Sequence, residues 1–137
     1  MSGYVIFEAG SRLAEHGKVT NEAILDMLDS SFDLVVQERP VSRFANQYLD
    51  ATLIWFGRFQ QHALAMRSEH RHLTRDQVLN ALFPEKWPPN RKGFPSRDAA
   101  VIKVLRGIYN PREVAKFGGE KDDAWQALAV REAWRRL

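Results

Sequence analysis

There is no cysteine among the 137 residues, which excludes disulfides, thiolate metal sites and thiol nucleophiles. No apolar run approaches the ~20 residues that a bilayer-crossing helix needs. The opening run, Tyr4-Val5-Ile6-Phe7, is short and no basic residue precedes it, so no signal peptide is read there and a cytoplasmic protein without a membrane partner is expected. The G-x-x-x-x-G-K-[ST] phosphate loop, the G-x-S-x-G nucleophile elbow and the H-E-x-x-H zinc signature are all missing. Gly118-Gly119 has no lysine–hydroxyl pair after it and reads as a helix stop. Sustained alternation of apolar and polar residues is missing too, as are internal repeats and low-complexity tracts. A binding protein is expected, not an enzyme, and one without a cofactor.

What the chain does have is apolar and aromatic mass. Hydrophobic residues make up 45%, with four Trp and eight Phe, too much for a disordered chain. A chain of this length buries roughly two-thirds of the surface it exposes when unfolded, enough for a core without staples. One domain spanning residues 1–137 is expected.

Charge is laid out unevenly. Residues 1–38 hold seven carboxylates (Glu8, Glu15, Glu22, Asp26, Asp29, Asp33 and Glu38) against Arg12 and Lys18, while residues 39–137 hold eighteen Lys and Arg against ten Asp and Glu. The first stretch is an acidic N-terminal lobe. Within the second, residues 86–116 carry eight basic side chains against Asp98 and Glu113, a surface that attracts polyanions.

Periodicity predicts an all-α fold of about six helices packed round a long central one. The run 4–7 is a strand or the first turn of a helix. Leu13 and Ala14 fall in a short helix ending at Gly17, and Thr20 caps a second in which Ala23, Ile24, Met27, Leu28, Leu34 and Val35 recur at helical spacing, with a break at Ser30-Ser31. From about 41 to 69 a long helical pattern runs through Ala51-Thr52-Leu53-Ile54-Trp55-Phe56-Gly57, which lacks charge all round. A helix apolar on every side is buried, so this is the expected central helix, with Leu53 and Trp55 almost fully covered and Phe44, Tyr48, Phe59 and Met66 along its stripe. Thr74 caps the next helix, which buries Val78, Leu79, Leu82 and Phe83 and ends at Pro84; residues 84–95 hold four prolines and form a semi-rigid loop. Ser96 caps a helix with Ile102, Leu105 and Tyr109 inward. Asn110-Pro111-Arg112-Glu113 starts a short helix with a capping-box arrangement, and a last helix runs from about residue 120 with Ala124, Trp125, Leu128 and Ala133 inward.

Nucleic acid asks a protein for cations to replace counterions along its phosphates and, for single strands, for flat groups to stack on bases. The loop and its flank supply both in Lys86, Trp87, Arg91, Lys92, Phe94 and Arg97, and the start of the following helix adds amides near Arg97 and Asp98 that can hold a phosphate. Lys103 and Arg106 project from one side of the next helix, followed by Arg112 and Lys116. Two helix pairs have helix-turn-helix spacing, 96–109 with 111–117 and an N-terminal pair at 12–16 and 20–28; the acids Asp26 and Asp29 count against the second. If Trp87 and Phe94 instead fold back into the core, the cations are simply solvated. His62, His70 and His72 lie near Glu69, but beside Arg67, Arg71 and Arg75 they are read as a polar helix end and turn, and no metal is expected.

The expected function is that of a nucleic-acid-binding accessory protein or a subunit of a nucleoprotein complex, touching the phosphate backbone of DNA or RNA through residues 86–116. The alternative is a protein-interaction module, an adaptor or an inhibitor of a larger enzyme, that uses the acidic lobe or exposed aromatics. Oligomeric state stays open.

Overall fold

The structure is a computed structural model and describes residues 1–9, 12–41 and 47–137. Among the described residues there are four strands and six helices, so the all-α, helical-bundle expectation is corrected to a mixed α/β fold. Strands β1 (Ser2–Glu8) and β2 (Arg12–Val19) form an antiparallel hairpin whose register shifts at Ile6/Phe7. Helix α1 (Asn21–Leu28) follows, capped by the Thr20 hydroxyl, which accepts from the amide of Ala23. It stops where Ser31 takes a positive φ of 54°.

Leu34 and Val35, whose spacing fits that helix, begin strand β3 (Leu34–Arg39) instead. β3 pairs in parallel with β4 (Glu69–Thr74), and a parallel pair needs a long crossover, supplied here by α2 (Gln47–Ala65). Helix α3 (Arg75–Leu82) then starts directly at the end of β4, with the capping box Thr74–Gln77 satisfied in both directions. The proline loop leads to α4 (Arg97–Ile108), α5 (Pro111–Val114) and α6 (Asp123–Arg136). In α5 the Asn110 side chain caps, but Glu113 accepts from the Leu13 amide rather than closing a capping box.

Three expectations fail together. The run at 12–17 is strand, which removes the N-terminal helix-turn-helix pair; α5 is a single turn, too short for a recognition helix. His70 and His72 lie in β4, not at a helix end. The helix expected at 41–69 is shorter and is not central: Leu53 is 36% exposed, Ile54 63% exposed and Trp55 only half-buried. Phe44, with the rest of residues 42–46, lies outside the described residues. Among the described residues, one side of α2 is covered, through Phe59, Ala63 and the half-buried Phe56.

The central helix is α6. Trp125, Leu128, Ala129 and Ala133 are buried among Val78, Leu79, Val101 and Leu105 from α3 and α4, and Val5, Phe7, Leu13 and Val36 reach the same cluster from the strands. Strand β1 comes close to the start of α6: a Cβ on Gly3 would overlap the backbone of Asp123. One charged group is fully buried within α6. Glu132 accepts from the Tyr109 hydroxyl (2.9 Å), from Arg135 at both carboxylate oxygens (2.9 and 3.1 Å) and from Arg136 (3.0 Å). Burial would raise this carboxyl, and the hydrogen bonds from Arg135, Tyr109 and Arg136 hold it below its usual range instead. Burial, and then the bond to Glu132, push Tyr109 up to about 12.

Candidate nucleic-acid interface

The proline loop is fixed from its middle. Trp87 donates its indole N–H to the Asn80 side chain of α3 (2.8 Å) and packs, half-buried, against the core cluster. Arg97 closes the loop by donating to the Pro88 carbonyl (3.2 Å) with its guanidinium 5.4 Å from the Trp87 ring. Trp87 therefore anchors the loop. The exposed aromatic is Phe94, 45% accessible at the loop's far end. Its amide closes a turn onto the Arg91 carbonyl (3.3 Å), a turn that Gly93 permits by adopting a φ of 91°. The Arg91 guanidinium lies 4.6 Å from one face of the Phe94 ring, a cation and a flat apolar group presented together. Lys86 and Lys92 are exposed beside them.

At the start of α4 one amide is already engaged, and the first-turn acid is paired. Ser96 accepts from the Ala99 amide (3.0 Å), and Asp98 in the first turn pairs with Arg75 (2.8 Å). A phosphate there would compete with both. Farther along α4, Lys103 and Arg106 are exposed, and Arg106 lies 5.3 Å from the Trp125 ring. At the other end, Arg112 and Lys116 line a groove of about 380 Å³ between α5 and β2, where Arg12 joins them. Glu15 and Glu113 line the same groove, so its field is mixed.

The ten residues singled out by sequence thus fall into two groups joined by α4: Lys86, Arg91, Lys92, Phe94 and Arg97 round the anchor Trp87, and Arg112 with Lys116 beside β2, with Lys103 and Arg106 between them. Sequence reasoning missed Arg12, because nothing local shows that β2 lies against α5. It also missed Arg136, whose guanidinium reaches the Ala81 carbonyl (3.3 Å), next to the asparagine that holds Trp87. Arg136 is visible in the sequence only as a cation in a last helical turn.

A second polar cluster lies at the carboxyl end of the parallel strands. Glu38 of β3 lines a cavity of about 310 Å³ with Arg39, Pro40, Val41, Thr52 and Arg75. Burial pushes its carboxyl above the usual range; Arg75 pulls it back and the Asp98 carboxylate adds to the rise. Arg75 bonds Asp98 and the Gln126 side chain, and Gln126 donates to Asp98 (3.1 Å). Carboxylates far apart in sequence are thereby brought near one arginine, which spacing along the chain does not show.

The histidines are split. His62 pairs with Asp29 (2.5 Å), tying α2 to α1, while His70 and His72 hold the edges of the Phe56 ring at 5.8 and 5.7 Å. Gln37 lies 2.7 Å from His70 Nε2. Among the described residues no three metal-ligating side chains converge, and no helix is long and apolar enough to cross a membrane.

Comparison with known proteins gives no match: no family model fits the sequence, and no curated protein or solved structure resembles the chain.

Proposed function

We propose that the protein binds nucleic acid through the loop 84–97, the exposed side of α4 and α5, as a cytoplasmic accessory protein or subunit of a nucleoprotein complex, without a cofactor and without catalysing a reaction itself. The observation that carries this reading is the Arg91–Phe94 turn at the end of a loop that Trp87 and Arg97 hold in place. A preformed loop loses little freedom when it binds, and a cation stacked on an exposed ring meets both a phosphate and a base. Helix α4 sets the distance between the two basic groups at ~18 Å, about five phosphate steps along one duplex strand. Titration of labelled single- and double-stranded oligonucleotides over a series of salt concentrations tests it. Affinity should fall linearly on a log–log plot with a slope set by the number of phosphates neutralised. No binding to either form at low salt would end the reading.

A second reading is favoured by the Glu38 cavity, which opens at the carboxyl end of a parallel strand pair, where ligands of α/β folds commonly bind. Asp98, which acts on Glu38, directly follows Arg97 of the interface. On this reading Glu38 takes the proton of a water that attacks a phosphodiester of the bound strand, while the bond from phosphorus to the leaving oxygen breaks and that oxygen takes a proton from solvent. Incubating labelled strands with the protein and with Glu38→Gln, with and without added divalent cations, tests it: product formed by the first and not the second supports it, and no product from either removes it.

A further inference from the structure

The uncharged middle of α2 is not core, and its solvent side has a pattern that fits itself. At 100° per residue, Asp50, Ala51, Ile54, Gly57, Arg58 and Gln61 fall on one side of the helix, and all six are exposed, Ile54 at 63%. Gly57 weakens the interior of a helix, yet a Cβ there would meet nothing within 4 Å, so no packing inside the chain calls for it. Asp50 and Arg58 have no ion-pair partner among the described residues, and Arg58 lies 4.0 Å above the Trp55 ring on the same surface.

We propose that this face of α2 is the interface between two copies of the chain, the two α2 helices running antiparallel about a twofold axis at Ile54. The register follows from the sequence. With Ile54 facing its own copy, residue 54+n faces residue 54−n, which sets Ala51 against Gly57 and Asp50 against Arg58, each twice. Small against small lets the helix axes approach closely, and the two charge pairs close the ends. An isologous interface requires such self-complementarity. A heterologous partner would have no reason to match Asp50 with Arg58 at equal distances from Ile54. Exposed Tyr48 and Leu64 extend the apolar surface on either flank. One helix face with its flanks is smaller than the ~800 Å² per partner of a standard interface, so the dimer should dissociate on dilution, with Kd in the micromolar range.

Sedimentation velocity of the full chain from about 1 to 100 µM tests the interface, with charge exchange testing its register. The wild type should shift from monomer to dimer across the series. Asp50→Arg alone and Arg58→Asp alone each place like charges together and should weaken the dimer by about tenfold or more; the double variant restores opposite charges and should return to within about threefold of wild type. Gly57→Leu should dissolve the dimer while leaving the thermal midpoint unchanged or raised, because it fills open space on a helix. A monomer at every concentration would overturn the proposal and leave this face to a different protein. A double variant no tighter than the single ones would overturn the twofold register.

Discussion

At the scale of single residues, Trp87 and Phe94 exchange the roles that composition alone would leave equal. Trp87→Ala removes a half-buried ring and the bond to Asn80, and should cost about 2 kcal/mol of stability in urea unfolding, below the 3–5 kcal/mol of a fully buried Trp. Phe94→Ala should leave stability within about 0.5 kcal/mol and weaken single-strand binding by about 1–3 kcal/mol. The reverse pattern would make Trp87 the stacking residue. His70 gives a pH test. Burial, then the charges on His72 and Arg71, lower its pKa from 6.5, and its Nε2 lies against Gln37. Above pH 6.5 both folded and unfolded forms are neutral there, and its contribution to stability is complete. As pH falls below 6.5 the unfolded chain takes the proton first, so stability should decline until the lowered folded value is passed. Unfolding midpoints between pH 7.5 and 5 should show that decline in the wild type and a shallower one in His70→Gln, which keeps an acceptor for Gln37. Parallel profiles would mean that His70 does not titrate differently in the two states.

At the scale of elements, β1 lies hard against the start of α6. Gly3→Ala would force a Cβ into the Asp123 backbone, and because backbone cannot swing aside as a side chain does, the change should cost about 1–3 kcal/mol. The Lys18–Asp123 ion pair (2.9 Å) spans the same junction and is half-exposed, so Lys18→Ala should cost under about 1 kcal/mol. Thermal melts of the two variants compare them directly; equal losses would place the constraint in the charge and not in the close approach. How legible each element is in the sequence follows from the same packing. The helices α3 and α4 announce themselves through caps at Thr74 and Ser96, and α6 with them through one-sided burial at helical spacing, though its observed cap, Asp122, lies inside the start expected near residue 120. The strands do not. β1 is half-buried on both faces from Ser2 to Phe7 and so does not alternate, and β3 opens with Leu34 and Val35, which happen to continue the spacing of α1. β4 is Glu-His-Arg-His-Leu-Thr, a polar string whose pairing with β3 comes from residues over thirty positions away. In α2 the lack of charge does not mark core as periodicity suggests, since Leu53 and Ile54 are exposed. Of the candidate site, the two basic segments are legible as sequence, but Arg12, Arg136 and the meeting of Glu38 with Asp98 depend on tertiary packing that no local pattern encodes.

At the scale of the whole molecule, the charge asymmetry of the sequence becomes a question about which cations one strand can touch at once. The N-terminal carboxylates are dispersed over β1, β2, α1 and β3, and several have partners of their own: Glu15 accepts from the Tyr4 hydroxyl (2.8 Å) and Asp29 pairs with His62. Glu15, together with Glu113, lies inside the groove that Arg112 and Lys116 line. The two basic groups should therefore contribute unequally. Each phosphate left without its cation lowers the salt slope of binding by roughly 1 on duplex and somewhat less on single strands. Arg91→Ala with Lys92→Ala removes two cations that have no ion-pair partner among the described residues, and should reduce the magnitude of the slope by about 1–2 and weaken binding alike across unrelated sequences. Arg112→Ala with Lys116→Ala removes two that are partly neutralised in place, and should reduce it by under about 1. Combining all four should give the sum of the two reductions if one strand runs along α4 from the loop to the groove, since the groups lie at opposite ends of that helix and share no partner among the described residues. If only one end engages a strand at a time, the variant of the unused end will leave both affinity and slope untouched, and the footprint shrinks to the other. Unchanged slopes in both double variants would place the bound polyanion away from α4 altogether.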